Sequence, residues 1–253
     1  MDINKEIGWL LKEKHKGKKT TQFKKDIERL KAGEPLAYVI GFTEFLGSKI
    51  DLSKKPLIPR PETEFWAGLA IEGLKNLLKI ENCKLKIRCL DMFAGSGCIG
   101  LAVLKNIKNA QVVFADNDKD CISQIKINLK LNLSPIRANC SVVKSDVFSK
   151  VVGKYDFIFA NPPYIPVKNK NKIQKSVLEY EPKVALFGGR DGLFYINKFL
   201  KQAKNYLNPG GKIFMEFDPP QKKQIEKLLR QYKYKNWEFR KDQYGKYRWA
   251  SIS

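Results

Sequence analysis

"LKIRCLDMFAGSGCIGLAVLKNI", residues 85–107, decides the fold. "LKIRCLDM" is a short apolar run that reads as a buried strand, and "GCIGLAVLKNI" reads as a helix. Between them stands a turn built on Gly95-Ser96-Gly97. The alternation then repeats. "AQVVFAD" is a strand and "KDCISQIKINLKLN" a helix; "CSVVKSD" and "YDFIFA" are strands; "DGLFYINKFLKQAKNYL" is a helix ended by "NPGG". "KIFMEFD" is a buried strand and "PPQKKQIEKLLRQY" a last helix, before the strands "NWEFRKD" and "RWASIS". Such alternation predicts an α/β fold, a mostly parallel, doubly wound sheet covered on both faces. Only "QYGKY" joins the last two strands, so they form a hairpin and give the sheet an antiparallel edge.

Upstream, the pattern changes. "NKEIGWLLKEK" and "TQFKKDIERLKAG" carry apolar residues at helical spacing, with Gly33 as a stop. "AYVIGFTEFLGSKIDL", residues 37–52, is rich in β-formers and reads as a hairpin. "LIPRPETEFWAGLAIEGLKNLLKI" starts a helix near Pro61, with Glu62 and Glu64 in the turn where the helix dipole favours acids. The expected organisation is a short helical region over 1–34, a β-hairpin linker over 35–60 and the α/β domain over 61–253.

Composition limits the function. The chain has 253 residues, a hydrophobic fraction of 43% and no run long enough to span a membrane. The N-terminus lacks a signal-peptide pattern. Cysteines 83, 89, 98, 121 and 140 form no CxxC pair, so reduced thiols in a cytoplasmic protein without a metal site are expected. His15, the one histidine, lies in a lysine-rich stretch and reads as solvated. The net charge is +22, carried by 40 lysines and 8 arginines. Lysine is spread along the chain and rarely interleaved with aromatics, and arginine, the better phosphate reader, is scarce. The charge therefore reads as a solvated surface, with attraction to an acidic protein or to RNA left open.

Ligands of doubly wound sheets bind beyond the carboxyl ends of the strands. Three such ends carry chemistry. The first is "DMFAGSGCIG", whose Gly95–Gly100 matches GxGxxG; the second is Asp116, 19 residues after Gly97. Both suit a dinucleotide. Asp91, however, faces the same turn, where a carboxylate repels a pyrophosphate and attracts an ammonium. S-adenosylmethionine has the ammonium and no phosphate. Asp91 near its amino-acid end, Gly95 and Gly97 beneath it and Asp116 on the ribose fit that molecule better.

The third end is "FANPPYIP", residues 159–166. Two prolines cannot extend a central strand, so the strand stops and presents Asn161. Methyl transfer needs an aligned nucleophile and little acid–base chemistry. An amide or exocyclic amine nitrogen has a delocalised lone pair, which two N–H acceptors can free. The Asn161 side-chain carbonyl and the Pro162 backbone carbonyl are those acceptors, and they stabilise the charge developing on nitrogen. Tyr164 holds the planar group or faces the sulfonium, and Pro162 and Pro163 stiffen the loop.

Taken together, "GEPLAYVIGFTEFLG", "LIPRPETE", "DMFAGSGCIG", "NPPYIP", "YEPKVALFGGRDGL", "LNPGGKIFMEF" and "KDQYGKYR" resemble, in order, the HemK-like glutamine N5-methyltransferases that modify class-1 peptide chain release factors. The resemblance covers roughly residues 34–253. It implies a class I S-adenosylmethionine-dependent methyltransferase fold, here with a short N-terminal helical region; separately, a monomer is expected. The glycine loop falls on Phe93, Ala94, Gly95, Ser96 and Gly97, the ribose acid on Asp116, the adenine neighbours on Asp146 and Val147, and the substrate motif on Asn161–Tyr164. Phe93 stands where the family has its first glycine, so the loop is expected to pass the cofactor differently. The N-terminal region is about half the length of the family's helical domain. Other readings are glutamine methylation of a ribosomal protein, adenine N6-methylation of RNA or DNA, which also uses NPPY, and a dinucleotide-dependent oxidoreductase resting on GSGCIG alone.

The charge reading is testable. A protein-methylating enzyme depends only moderately on salt. One that neutralises six or more phosphates loses about 10³-fold or more in affinity between 50 and 200 mM salt. Titrating RNA and protein substrates across that range separates the two, and a steep slope for RNA overturns the solvation reading.

Overall fold

The computed structural model describes residues 2–80, 86–133 and 139–253; Cys83 and Leu85 lie outside the described residues. The main sheet has seven strands: β3 (Ile87–Met92), β4 (Ala110–Asp116), β5 (Cys140–Lys144), β6 (Tyr155–Ala160), β7 (Leu207–Glu216), β8 (Trp237–Lys241) and β9 (Tyr247–Ile252). Their order is β5-β4-β3-β6-β7-β9-β8. Pairings from β5 through β7 are parallel. β9 runs antiparallel between β7 and β8, which makes the closing hairpin one edge of the sheet.

Alternate side chains feed two cores, as a sheet covered on both faces requires. In β6, Phe157 and Phe159 join one cluster and Ile158 and Ala160 the other; in β7, Phe214 joins the first and Ile213 and Met215 the second. The first face is covered by α4 (Pro61–Ile80), α5 (Cys98–Asn106) and α6 (Lys119–Asn132). The second is covered by α9 (Phe194–Ala203) and α10 (Lys222–Gln231). Between β6 and α9 lie the short helices α7 (Lys175–Tyr180) and α8 (Lys183–Leu186).

Three expectations change. The segment read as a hairpin from residue 37 begins as a helix, α3 (Leu36–Ile40), and only β1 (Phe42–Phe45) and β2 (Ser48–Asp51) form strands. Gly41, at φ +96°, ends α3, and Tyr38 and Val39 bury as a helix would. Val39 shares a small core with Leu10, Phe23 and Leu30 of α1 (Ile3–Glu13) and α2 (Thr21–Lys31), so α3 packs with the helices before it. His15 is not solvated. Its side chain is 7% exposed and sits 3.0 Å from the carboxylate of Asp26, which is fully buried between the helices and is also met by Lys14 and Arg29. Burial of Asp26 demands donors, and His15 is one of them. "NPGG" does not stop the helix. Helix α9 ends at Ala203, a 3-10 turn covers Lys204–Tyr206, and "NPGG" lies within β7, where the pairing with β6 shifts register.

The hairpin β1–β2 docks on α6 through amide side chains. Asn128 Oδ1 accepts from Asp51 N (2.7 Å), its Nδ2 donates to Asp51 O (3.2 Å), and Gln124 Oε1 accepts from Lys54 N (2.8 Å). Among the described residues no helix is long and apolar enough to cross a membrane.

After β6, the Asn-Pro-Pro-Tyr loop is laced to "LFGGRDG". Ile165 N donates to Leu186 O (2.9 Å), Gly188 N to Ile165 O (3.0 Å) and Val167 N to Gly189 O (2.9 Å). Such close backbone approach needs glycine: a Cβ on Gly192, which has φ +81°, would overlap Tyr164 O and meet Gln221 Nε2 at 2.5 Å. We expect Gly192→Ala to cost about 1–3 kcal/mol or more, from strain and overpacking together. In Gly8→Ala, where nothing lies near the new methyl, stability should hold or rise slightly. Chemical denaturation of the two variants measures the contrast.

Candidate active site

β3 and β6 are neighbours, yet the chain leaves β3 toward β4 on one side and leaves β6 toward β7 on the other. This is a topological switch point, and a crevice opens beyond the strand ends. Two cavities occupy it, of about 390 and about 340 Å³, each within the range of ligand pockets. Leu57, Arg60, Asn161 and Ala185 line both.

The larger cavity is lined by Phe93, Ala94, Gly95 and Ser96 after β3, Asp116 at the end of β4, Asp146 and Val147 after β5, and Asn161 and Pro163 after β6. The glycine loop is stitched to β4: Ala94 N donates to Ala115 O (3.1 Å) and Gly95 N to Asp116 Oδ2 (2.8 Å). Asp116 Oδ1 accepts from Asp118 N at 2.9 Å. Each carboxylate oxygen thus takes one backbone donor and keeps a lone pair for a ligand. Burial raises the Asp116 carboxyl above its ordinary value. Asp146 Oδ2 takes Lys198 Nζ at 2.6 Å, and Val147 has φ +51°.

Phe93, at the position of the family's first glycine, adopts φ +60°, the left-handed conformation glycine takes freely. Its ring packs against Tyr195 and Phe199, with centroids 6.0 and 6.1 Å away, which offsets the strain. Asp91 and Gly97 are placed differently from expectation: neither lines either of these two cavities. Gly97, at φ +78°, caps α5 against Ile125 and Phe114. Asp91 is 1% exposed behind the loop, with Oδ2 accepting from Gly100 N at 2.8 Å. Direct contact with a cofactor ammonium is therefore not what its position provides. The other oxygen, Oδ1, is buried without a hydrogen-bond partner among the described residues, and burial pushes the carboxyl up to about 8.

Pro162 and Tyr164 line the smaller cavity with Ile165, Ile173, Gln174 and Val177. Tyr164 turns its hydroxyl away from the larger cavity, donating to Glu216 Oε1 at 2.9 Å. Glu216, 1% exposed at the end of β7, is a hub. Its Oε2 accepts from Thr63 Oγ1 (2.7 Å) and Trp66 Nε1 (2.6 Å), and Thr63 Oγ1 in turn accepts from Asn161 Nδ2 in a long bond of 3.4 Å. Burial raises the Glu216 carboxyl, and the three donated bonds oppose that rise. From the other side, Gln221 Nε2 donates to Tyr164 O at 2.8 Å. An ion pair between half-buried Arg60 and buried Glu181, at 2.5 Å, joins "IPRPETE" to "YEPKVALFGG" beside both cavities. Sequence reading quoted those segments but missed Thr63, Glu216, Gln221 and the Arg60–Glu181 pair. The one available signal was an acid inside an apolar strand, Glu216 in "KIFMEFD".

This crevice belongs to a methyltransferase: residues 72–244 match the family described as "Methyltransferase small domain", and the fold is that of class I methyltransferases. Solved structures agree on the fold. The hMettl16 catalytic domain in complex with a MAT2A 3'UTR hairpin aligns at TM-score 0.63 and 17% identity, over 82% of this chain and 75% of that one. A ribosomal protein L11 methylase from Lactobacillus delbrueckii subsp. bulgaricus aligns at 0.53 and 18%, over 81% and 83%. Sequence relatives are nearer. A release factor glutamine methyltransferase of Lactococcus lactis is 31% identical over 99% of this chain and 89% of its own length. That of Streptococcus pneumoniae is 34% identical over 91% and 79%. The chain belongs to the release factor glutamine methyltransferase family.

Asp91 gives a pH test on the cofactor-free protein. Its folded-state carboxyl lies at about 8, above the ordinary 3.8. The raised value stabilises the fold below about pH 4, and that contribution is lost as pH rises toward and through 8, by at most about 1.4 kcal/mol per pH unit. Asp91→Asn keeps an acceptor for Gly100 N and cannot ionise. Its stability should fall less than that of the unaltered chain between pH 5 and 8. Parallel slopes in urea unfolding would show that Asp91 titrates elsewhere.

Proposed function

We propose that the protein transfers a methyl group from S-adenosylmethionine to the side-chain amide nitrogen of a glutamine, in the Gly-Gly-Gln loop of a class-1 peptide chain release factor. One observation carries this reading: Asn161 stands where the two cavities meet, so a donor in one and an acceptor in the other are both within its reach.

The larger cavity fits the cofactor by the chemistry of its donors and acceptors. The spare lone pairs of Asp116 would hold the two ribose hydroxyls, Asp146 and Val147 would hold the adenine, and the Phe93–Ser96 loop would hold the amino-acid end. Gly97 shapes that loop from beneath. When bound, the cofactor supplies an electrophilic methyl group.

The smaller cavity, with its apolar walls and the Tyr164 ring, receives the planar amide. Asn161 Oδ1 and Pro162 O each accept one of its N–H groups, which orients the nitrogen and shares the positive charge that develops on it. Tyr164 positions the amide and does not touch the reacting atoms. The division into 1–34, 35–60 and 61–253 stands as part of this reading, with 35–40 packed against the helical piece. The same reading makes the protein a cytoplasmic monomer.

Incubation with labelled S-adenosylmethionine, a release factor and RNA tests the proposal. Label should appear on the glutamine, and label in RNA adenine overturns it in favour of nucleic-acid methylation. Asn161→Ala removes one of two acceptors and should lower turnover about 10²–10³-fold. Cofactor affinity should fall less, since Asn161 is one of several cofactor-binding residues and most of the contacts lie on the glycine loop and Asp116. Turnover by Asn161→Ala at the unaltered rate would show that the mechanism is wrong.

A further inference from the structure

Three hydrogen bonds in series give the Asn161 side chain a direction. Trp66 Nε1–H can only donate, so Glu216 Oε2, 2.6 Å away, accepts from it, and with no proton on Oε2 that oxygen is an acceptor toward Thr63 as well. Thr63 has a single hydroxyl proton, and at 2.7 Å from the same Oε2 that proton is committed to Glu216. What Thr63 Oγ1 turns toward Asn161 is therefore a lone pair. Only the NH2 end of the amide can meet it, at 3.4 Å. The carbonyl end is forced to the opposite side of the same planar group.

We infer that Thr63, polarised by Glu216, is a positioning residue that fixes which end of the Asn161 amide faces the acceptor. An asparagine free to rotate its amide presents NH2 as readily as C=O, and NH2 repels the N–H groups of an incoming amide. The chain Trp66–Glu216–Thr63 removes that choice before substrate arrives. Trp66, Thr63 and Glu216 are each no more than 2% exposed, so water does not compete for the two bonds that tie Trp66 and Thr63 to Glu216. Residues from α4 and β7 thus set the hydrogen-bonding sense of a side chain at the end of β6. The consequence for turnover rests on the function proposed above; the orientation of the amide does not.

Thr63→Val keeps the shape and removes the lone pair, and Thr63→Ser restores it. With the enzyme labelled by ¹⁵N-asparagine, the Asn161 NH2 signals in the resting enzyme report the orientation directly. In Thr63→Val they should shift and lose protection from hydrogen exchange, and in Thr63→Ser both should return. Turnover should fall about 2–10-fold in Thr63→Val, the worth of one neutral hydrogen bond, with KM for the cofactor unchanged, and recover in Thr63→Ser. Unshifted Asn161 signals in Thr63→Val overturn the inference. So does an equal fall of turnover in the Val and Ser variants, which marks a packing role. If the unaltered enzyme methylates no glutamine, the functional reading fails, while the amide signals still decide the orientation.

Discussion

The crevice between β3 and β6 is the constraint from which the rest follows. Two parallel neighbours whose connections run to opposite faces cannot both be covered at their carboxyl ends, so the chain leaves a gap there. Everything placed at those ends faces the gap without further design. The β3 end supplies a tight loop, the β4 end an acid already holding two backbone N–H groups, and the β6 end an amide stopped by proline. Parallel pairing also makes the three ends level, since β3 registers directly with β4 and with β6.

The motifs far from the crevice in sequence converge on one loop. "IPRPETE" brings Arg60 and Thr63, "YEPKVALFGGRDG" brings Glu181 and the glycines, and "MEFDPPQ" brings Glu216 and Gln221. Each holds the Asn-Pro-Pro-Tyr loop or the wall beside it. Tyr164 is gripped twice, its hydroxyl by Glu216 and its carbonyl by Gln221. A loop with two prolines makes few backbone bonds of its own, so it takes its rigidity from these neighbours.

Much of this was legible in the residues. Alternating strand and helix patterns gave the parallel sheet, and the apolar run before Asn161 placed that amide at a strand end. The failures share a cause. α3 is five residues long, and its β-prone composition hid a helix that tertiary packing with α1 and α2 imposes. His15 looked solvated because its partner, Asp26, lies eleven residues away and becomes visible only when two helices close on it. Asp91 shares its turn with the glycines, but the strand pleat sends its side chain behind the loop. Glu216 is 153 residues from Thr63 and 52 from Tyr164, and no local pattern announces a hub of that span.

Phe93 ties the cofactor loop to a distant part of the molecule. Its left-handed backbone is held by a ring packed on Tyr195 and Phe199, and Phe199 in turn stacks on Phe148, with centroids 5.6 Å apart. A glycine at this position would keep its shape alone. Here the shape is borrowed from an aromatic ladder running along α9 and the segment after β5. A smaller side chain at Phe199 removes packing from the Phe93 ring itself, so in this chain the interior behind α9 is also part of what holds the crevice loop in shape.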